Sequence, residues 1–448
     1  MVMDNGRGTG DFGNIRRVAM ISVHTSPLAT LGEQDAGGLN VYVRELSRHL
    51  GRLGIAVDIF TRRTDPQTPD VVPAEQNVRV VHVSAGPPTR LDKGDLFRVL
   101  PTFASEMALF ALREGISYDV VHAHYWLSGW VAVLLQRYWD APTVQMFHTL
   151  GHLKQDAARG AADGREPEQR IEVERRVMGR VDAIVAANAR ERADMIWRYG
   201  VRAARIAAIN PGIDLERFRP RDREAARAAL RLGPEPHLLF VGRIDPVKGI
   251  DFLLDAFAAL RDRWQGPLPP CLVMVGGELR RHADGSTELG PELSRVRDRA
   301  AELGVADGLI FRGPQPHDAL PDYYAAVDVA VVPSRYESFG LVAAEALACG
   351  TPVVASRVGG LAYIIEDGEN GYLVPYGDVE ALATALDRIL ADPALRARLS
   401  AGAVAGAAAF GWEDVATRVL DLYAELLARQ AVRGSEAFRA ALAVGAGD

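Results

Sequence analysis

The chain has 448 residues, 48% of them hydrophobic, 24% charged and 7% aromatic, with 51 Lys and Arg against 58 Asp and Glu for a formal charge of −7. That is an ordinary globular composition with room for two or three domains, and its acidic balance argues against nucleic-acid binding driven mainly by charge. Two cysteines, Cys271 and Cys349, exclude a disulfide scaffold or a Cys-rich metal module; lying in apolar runs, they read as small buried hydrophobes.

No stretch reaches the roughly 18 to 20 consecutive apolar residues of a spanning helix. The opening MVMDNGRGTGDFGNIR lacks the apolar region of a signal peptide, and no N-x-[ST] acceptor is present. The expected location is cytoplasmic.

The first strand candidate is VAMISV, Val18 to Val23, followed by a Gly-containing loop, a helix from about Leu39 to Leu53 and a second strand from Val57. Short apolar runs recur at Val78–Val83, Val120–His124, Thr143–His148 and Asp182–Asn188, with helical segments between most of them. Continuous β-rich runs alternating with helices predict a parallel sheet covered on both faces. The rhythm restarts after the turn-rich NPGIDLERFRPRD, with strands at His237–Arg243, Cys271–Gly277, Leu309–Gly313, Val329–Ser334 and Pro352–Ser356. Arg280 to Glu292 reads as a surface loop. The Ala-rich C-terminus reads as helix through about Arg429, with a loosely held tail after Gly434. The predicted fold is α/β: two doubly wound domains facing across a cleft, residues 1–215 and 216–410, with 411–448 as a helix packing back toward the first domain and a tail.

Two patterns mislead. GTGDFG, Gly8 to Gly13, matches G-x-G-x-x-G but precedes the first strand, whereas a dinucleotide fingerprint must follow a strand and open a helix. His122 and His124 are expected to point to opposite faces and so not to share a metal. No metal ligand set is assigned.

Three segments carry chemistry. In HTSPLATLGEQDAGGLNVYVREL, His24 to Leu46, Gly37 and Gly38 allow close backbone approach, and the following helix presents unpaired N–H groups that favour an anion such as a diphosphate. A plain Gly-rich turn is the alternative. In VGRIDPVKG, Arg243 ends a strand and Lys248 follows five residues later, so both cations can converge on a phosphate at the strand ends; otherwise they are solvated surface charges. In SRYESFGLVAAEALACGTPVVAS, Glu337 follows a strand and Glu345 sits in an apolar helix, where sugar hydroxyls or a local protein bond would satisfy it.

Together, DAGG, R-x-x-x-x-K and E-S-F-G-L-x-x-x-E resemble the retaining GT-B glycosyltransferases, the family that includes sucrose and glycogen synthases, over about residues 17 to 430. The resemblance implies a GT-B fold whose second domain binds a nucleotide-sugar. It implies Arg243 and Lys248 on the diphosphate, Glu337 on the donor sugar, Glu345 on the ribose, Gln315 in the uracil-side loop RGPQPHD, His148 lining the cleft by the donor sugar, and Gly38 approaching the diphosphate from the first domain. A narrower likeness is to the D-inositol-3-phosphate glycosyltransferases of mycothiol synthesis. It implies an acceptor phosphate held by Lys93, Tyr125, Thr149 and Arg170, and an inositol ring held by His24 and the run Asp35, Ala36, Gly37, Gly38, Leu39 and Asn40. UDP-N-acetylglucosamine and 1D-myo-inositol 3-phosphate are the implied substrates. Sucrose-phosphate synthases share GG-x-N-V-Y-V and also use a sugar-phosphate acceptor, so transfer of glucose to fructose 6-phosphate stays open.

In a front-face reaction the leaving diphosphate oxygen takes the acceptor proton, and Arg243, Lys248 and the Gly38 amide stabilise its developing charge. No cofactor is required beyond the nucleotide-sugar; Mg2+ could supplement the cations without being essential, and the sequence is compatible with a homodimer. A non-catalytic two-lobed sugar-binding protein would need an export signal and no diphosphate site. A dinucleotide oxidoreductase is disfavoured by the misplaced GTGDFG, while a hydrolase would be separated by its products.

Overall fold

The computed structural model describes residues 15–28, 37–157, 168–281 and 287–445. The GTGDFG run, Asp35 and Ala36 lie outside them.

The first sheet is built from β1 (Arg17–Ile21), β2 (Ala56–Arg62), β3 (Val71–Glu75), β4 (Val78–Val83), β5 (Val120–His124), β6 (Thr143–Met146), β7 (Ala183–Ala186) and β8 (Ile206–Ala208). Their order is β3-β4-β2-β1-β5-β6-β7-β8, every neighbour parallel except β3 on β4. β1 is central, with Val18 opposite Val57 on one side and Val120 on the other. Buried on both faces, it reads as an unbroken apolar run because no side of it meets water.

The second sheet takes β9 (His237–Val241), β10 (Cys271–Val275), β13 (Leu309–Gly313), β14 (Val329–Val332), β15 (Val353–Ser356) and β16 (Gly371–Val374) in the parallel order β13-β10-β9-β14-β15-β16. Between β10 and β13, β11 (Leu279–Arg281) and β12 (Thr287–Leu289) form an antiparallel hairpin, which corrects the loop expected over 280–292. β3, β8 and β16 were not anticipated. β3 carries a Pro and half-exposed positions, β8 has three residues, and β16 opens on a glycine, so none presents a distinctive apolar run.

The helices that position the site are α1 (Gly38–Arg52), α2 (Lys93–Glu114), α3 (Tyr125–Leu135), α4 (Gly151–Ala157), α5 (Glu168–Arg180) and α6 (Ala189–Tyr199); all but α5 follow the C-terminal ends of strands. α1 buries Val41, Tyr42, Val43, Leu46 and Leu50. One apolar core runs from Tyr42, Val43, Leu46 and Leu50 through Phe218 and Trp412 to Leu347 in the second half.

The last helix, Trp412–Gly445, extends past both the expected end at Arg429 and the loose tail expected after Gly434. It returns to the first domain. The Trp412 ring stands 5.2 Å from that of Tyr42, Arg418 donates to the Ala208 carbonyl at 2.6 Å and Gln430 donates to that of Asp140 at 2.6 Å. Where the chain crosses between the halves, the two segments run side by side, and the Ile213 amide donates to the Phe410 carbonyl at 2.6 Å. Among the described residues, no helix is long and apolar enough to cross a membrane.

Candidate active site

The residues singled out in the sequence gather at the C-terminal edges of the two sheets, where strand ends and helix starts leave backbone groups and side chains facing the gap. In the first domain, His24 follows β1, Tyr125 follows β5, and His148 and Thr149 follow β6. Tyr125 and His148 have φ of 75° and 60°. Left-handed backbone at a bulky residue costs about 1–3 kcal/mol and clusters at functional sites. Here it turns two side chains off consecutive strand ends.

Around the Tyr125 ring the sequence candidates converge. Lys93 Nζ lies 5.6 Å and Arg170 Cζ 5.0 Å from its centroid, and the His24 ring is 4.5 Å away. Arg170 donates to Thr149 Oγ1 at 2.9 Å and to the Thr149 carbonyl at 2.8 Å. His24 is held neutral: burial, then the charges of Lys93 and Arg170, bring its pKa to about 3. Two cations lie against one aromatic ring in a cradle built from four segments.

Arg170 has a second duty that its sequence motif does not reveal. Its Nε donates to Glu174 Oε1 at 2.8 Å, and both side chains are fully buried. Glu174 also accepts from the Gly151 amide at 3.0 and 3.1 Å and from the Tyr199 hydroxyl at 2.5 Å. The carboxylate thereby ties α4, α5 and α6 together.

At the mouth of α1, Gly37 and Gly38 lie between the halves. A Cβ added at Gly38 would sit 3.0 Å from Leu341 Cδ1 of the second domain. Leu39 packs against the apolar cores. The Asn40 amide is fully used in bracing the first loop: it donates to Thr25 Oγ1 and the Ser26 carbonyl at 2.6 Å each, while its Oδ1 accepts the Gly37 N–H at 3.1 Å.

In the second domain, Lys248 Nζ donates to Glu337 Oε2 at 2.7 Å, joining two of the motifs. Gly249 makes the approach possible. Its φ is 70°, and a Cβ there would lie 2.0 Å from the Pro333 carbonyl oxygen. Arg243 is 54% exposed, with Asp245 3.7 Å away, so its guanidinium is open to a ligand. Gln315 donates to the Arg312 carbonyl at 2.8 Å.

Glu345 finds its partners within the protein. His317 Nε2 donates to Oε1 at 2.8 Å and the Tyr324 hydroxyl donates to Oε2 at 3.0 Å. The other His317 nitrogen accepts from Arg217 at 3.0 Å and faces Arg44 of α1 at 3.4 Å, so Glu345 is linked across the gap to the first domain. His317 and Tyr324 were not singled out from the sequence.

A cleft of about 640 Å³ opens between the halves beside Glu337. It is lined by Asn188, Glu191 and Asp194 from one side and by Tyr336, Ser338 and Arg357 from the other. Asn188 donates to the Ser338 carbonyl at 2.7 Å. Burial, with Asp194 and Glu174 nearby, pushes the Glu191 carboxyl up to about 7 against the bond it accepts from the Ala187 amide.

His122 and His124 are a correction. Side chains two apart on a strand share a face, and their rings stand 4.4 Å apart on the same side of β5. Among the described residues, no group of three or more His, Cys, Asp or Glu is placed to hold a metal.

Residues 36–217 match the model of Glycosyltransferase Family 4, and residues 222–404 match that of Glycosyl transferases group 1. The chain is 44% identical over 411 residues to D-inositol 3-phosphate glycosyltransferase 2 of Catenulispora acidiphila, covering 91% of this chain and 94% of that one. The chain belongs to the GT-B glycosyltransferases. It is likewise 44% identical to the D-inositol 3-phosphate glycosyltransferase of Xylanimonas cellulosilytica, covering 93% of this glycosyltransferase and 98% of the relative. A solved sucrose-phosphate synthase from Thermosynechococcus elongatus superposes with a TM-score of 0.82 at 38% identity, over 92% of this glycosyltransferase and all of that chain.

Proposed function

We propose that this glycosyltransferase moves N-acetylglucosamine from its UDP conjugate to 1D-myo-inositol 3-phosphate with retention at the anomeric carbon. The observation that carries the reading is the cradle around Tyr125. Lys93 and Arg170 supply positive charge, and the Tyr125 and Thr149 hydroxyls supply donors, as a phosphate monoester requires.

In the second domain, Arg243 and Lys248 hold the diphosphate, and Glu337, already bonded to Lys248, orients the donor sugar. The bond from the anomeric carbon to the diphosphate oxygen breaks as the bond to the acceptor oxygen forms on the same face. The acceptor proton passes to the departing oxygen, whose growing charge Arg243, Lys248 and the start of α1 stabilise. No metal is needed for that step, and chelation should leave turnover intact. Both substrates are polar and water-borne, which fits a cytoplasmic site.

The identity to a sucrose-phosphate synthase favours a second reading, transfer of glucose to fructose 6-phosphate. One experiment decides: turnover of UDP-N-acetylglucosamine and UDP-glucose crossed with inositol 3-phosphate, fructose 6-phosphate and free inositol. The first reading expects the first pair to dominate. Preference for fructose 6-phosphate would select the second reading, and preference for free inositol would defeat the phosphate cradle.

A further inference from the structure

Behind His148 the first domain carries a buried line of rings whose hydrogen bonds leave little freedom. His148 Nε2 lies 3.0 Å from His124 Nδ1. On its other side, His124 Nε2 lies 2.8 Å from Met20 Sδ on the neighbouring strand β1. His122 stacks beside His124, and its Nδ1 is 2.7 Å from the Tyr423 hydroxyl of the returning helix. His122 and His124 are fully buried.

A thioether sulfur offers lone pairs and no proton. At 2.8 Å, a bare ring nitrogen would set one lone pair against another, so His124 Nε2 carries the hydrogen. Burial keeps His124 neutral, so its Nδ1 is bare and can only accept. The hydrogen in the 3.0 Å contact must then belong to His148 Nε2. Neutral His148 has one N–H, and it is spent.

We propose that Met20, acting through His124, fixes the tautomer of His148 so that it presents a bare Nδ1, a hydrogen-bond acceptor, to the cleft. No described protein group bonds that nitrogen. With the left-handed backbone at His148 setting the ring's direction, a substrate hydroxyl meeting it must donate. His124 and Met20 are positioning residues; neither reaches the gap. The device discriminates a hydroxyl from any group that cannot donate. It rests on the proposed function only for the claim that the hydroxyl belongs to a sugar or polyol.

The first test needs no substrate. Long-range 15N–1H correlation spectra of ring-labelled protein at neutral pH, assigned with single His variants, report which nitrogen of each imidazole carries hydrogen. The expected pattern is Nε2–H with bare Nδ1 at both His124 and His148. A hydrogen on His148 Nδ1 overturns the proposal, whatever the enzyme's substrates prove to be.

The second test is Met20→Leu, which conserves volume while removing the sulfur acceptor. The expected result is a folded protein in which the His148 nitrogens show mixed protonation and kcat falls about tenfold. A single unchanged tautomer at His148 would overturn Met20's part. His124→Asn retains an acceptor near the Nδ1 position and should keep most of the activity that His124→Leu loses.

A third measurement reads the acceptor itself through the binding affinity of deoxy and deoxyfluoro donor and acceptor analogues, because fluorine accepts poorly and cannot donate. At the hydroxyl whose removal costs less in His148→Ala than in the parent, both analogues should lose about tenfold or more. Retained affinity of the fluoro analogue at that position would show His148 donating and defeat the proposal.

Discussion

Substituting Gly38 tests whether catalysis depends on the two halves meeting at the start of α1. An added Cβ would stand 3.0 Å from Leu341 Cδ1, with no other side chain so near. For Ala the obstacle is the tip of one flexible side chain, so the cost falls at the low end of the overpacking range, about 1 kcal/mol. Val adds two further methyl groups in the same direction and should cost about 2 to 3 kcal/mol. These energies oppose the approach of the domains rather than the folding of either one. Turnover should therefore drop about 5-fold for Gly38→Ala and about 100-fold for Gly38→Val, while UDP binding measured by calorimetry stays near the parent value, because Arg243 and Lys248 belong to the other half. Leu341→Ala removes the obstacle and should restore most of the rate to Gly38→Ala. Equal losses of nucleotide affinity and rate, or no recovery in the double variant, would refute the reasoning.

Lys248→Ala removes a charge-assisted contact that strengthens as the leaving group departs; kcat/KM should fall by about 2 to 3 kcal/mol of transition-state stabilisation while thermal stability shifts little, and unchanged turnover would remove Lys248 from the site. Lys93→Ala should raise the acceptor KM and narrow the preference for phosphorylated over unphosphorylated acceptor, since Lys93 is exposed and bears no internal load. Arg170→Ala should behave differently: it strips the buried Glu174 of its guanidinium and should cost about 3 to 5 kcal/mol in denaturant unfolding. The pH dependence of stability should carry two opposed contributions. His24, His122 and His148 are depressed from 6.5 to about 3, so the unfolded chain binds more protons in that window and stability falls as pH drops through it. Glu191 is raised from 4.5 to about 7, so its stabilisation is full below 4.5 and is lost as pH rises to 7; Glu191→Gln removes this opposing contribution and should make stability rise more steeply with pH across that upper window in urea titrations, and an unchanged profile would place its carboxyl elsewhere.

The central parallel strands were legible because burial on both faces favours near-continuous apolar runs; β5, buried throughout, matches the sequence limits residue for residue, and so does the edge strand β13, although it is only half-buried. The strands β3, β8 and β16 were not: β3 is half-exposed and carries a Pro, β8 has three residues, and β16 has four and opens on a glycine. The clustering of Lys93, Tyr125, Thr149 and Arg170 could be anticipated only from family motifs, since nothing local brings residues from four segments around one ring. Arg170's structural load and Glu345's bonds to His317 and Tyr324 depend on tertiary neighbours that no spacing announces. The His122–His124 pair was misjudged by a rule the sequence did supply: alternate residues of a strand share a face.

The returning C-terminal helix bears on the order of events during synthesis. Tyr423 meets His122 across 301 positions of chain, and Trp412 seals the base of α1 against Tyr42. A nascent chain can therefore lay down the whole first sheet and still lack part of the wall behind it until the other domain has been translated. The domain made first is completed last. Shortening the chain's end should injure the fold of its beginning, where the cradle lies, and leave the nucleotide-binding half comparatively whole.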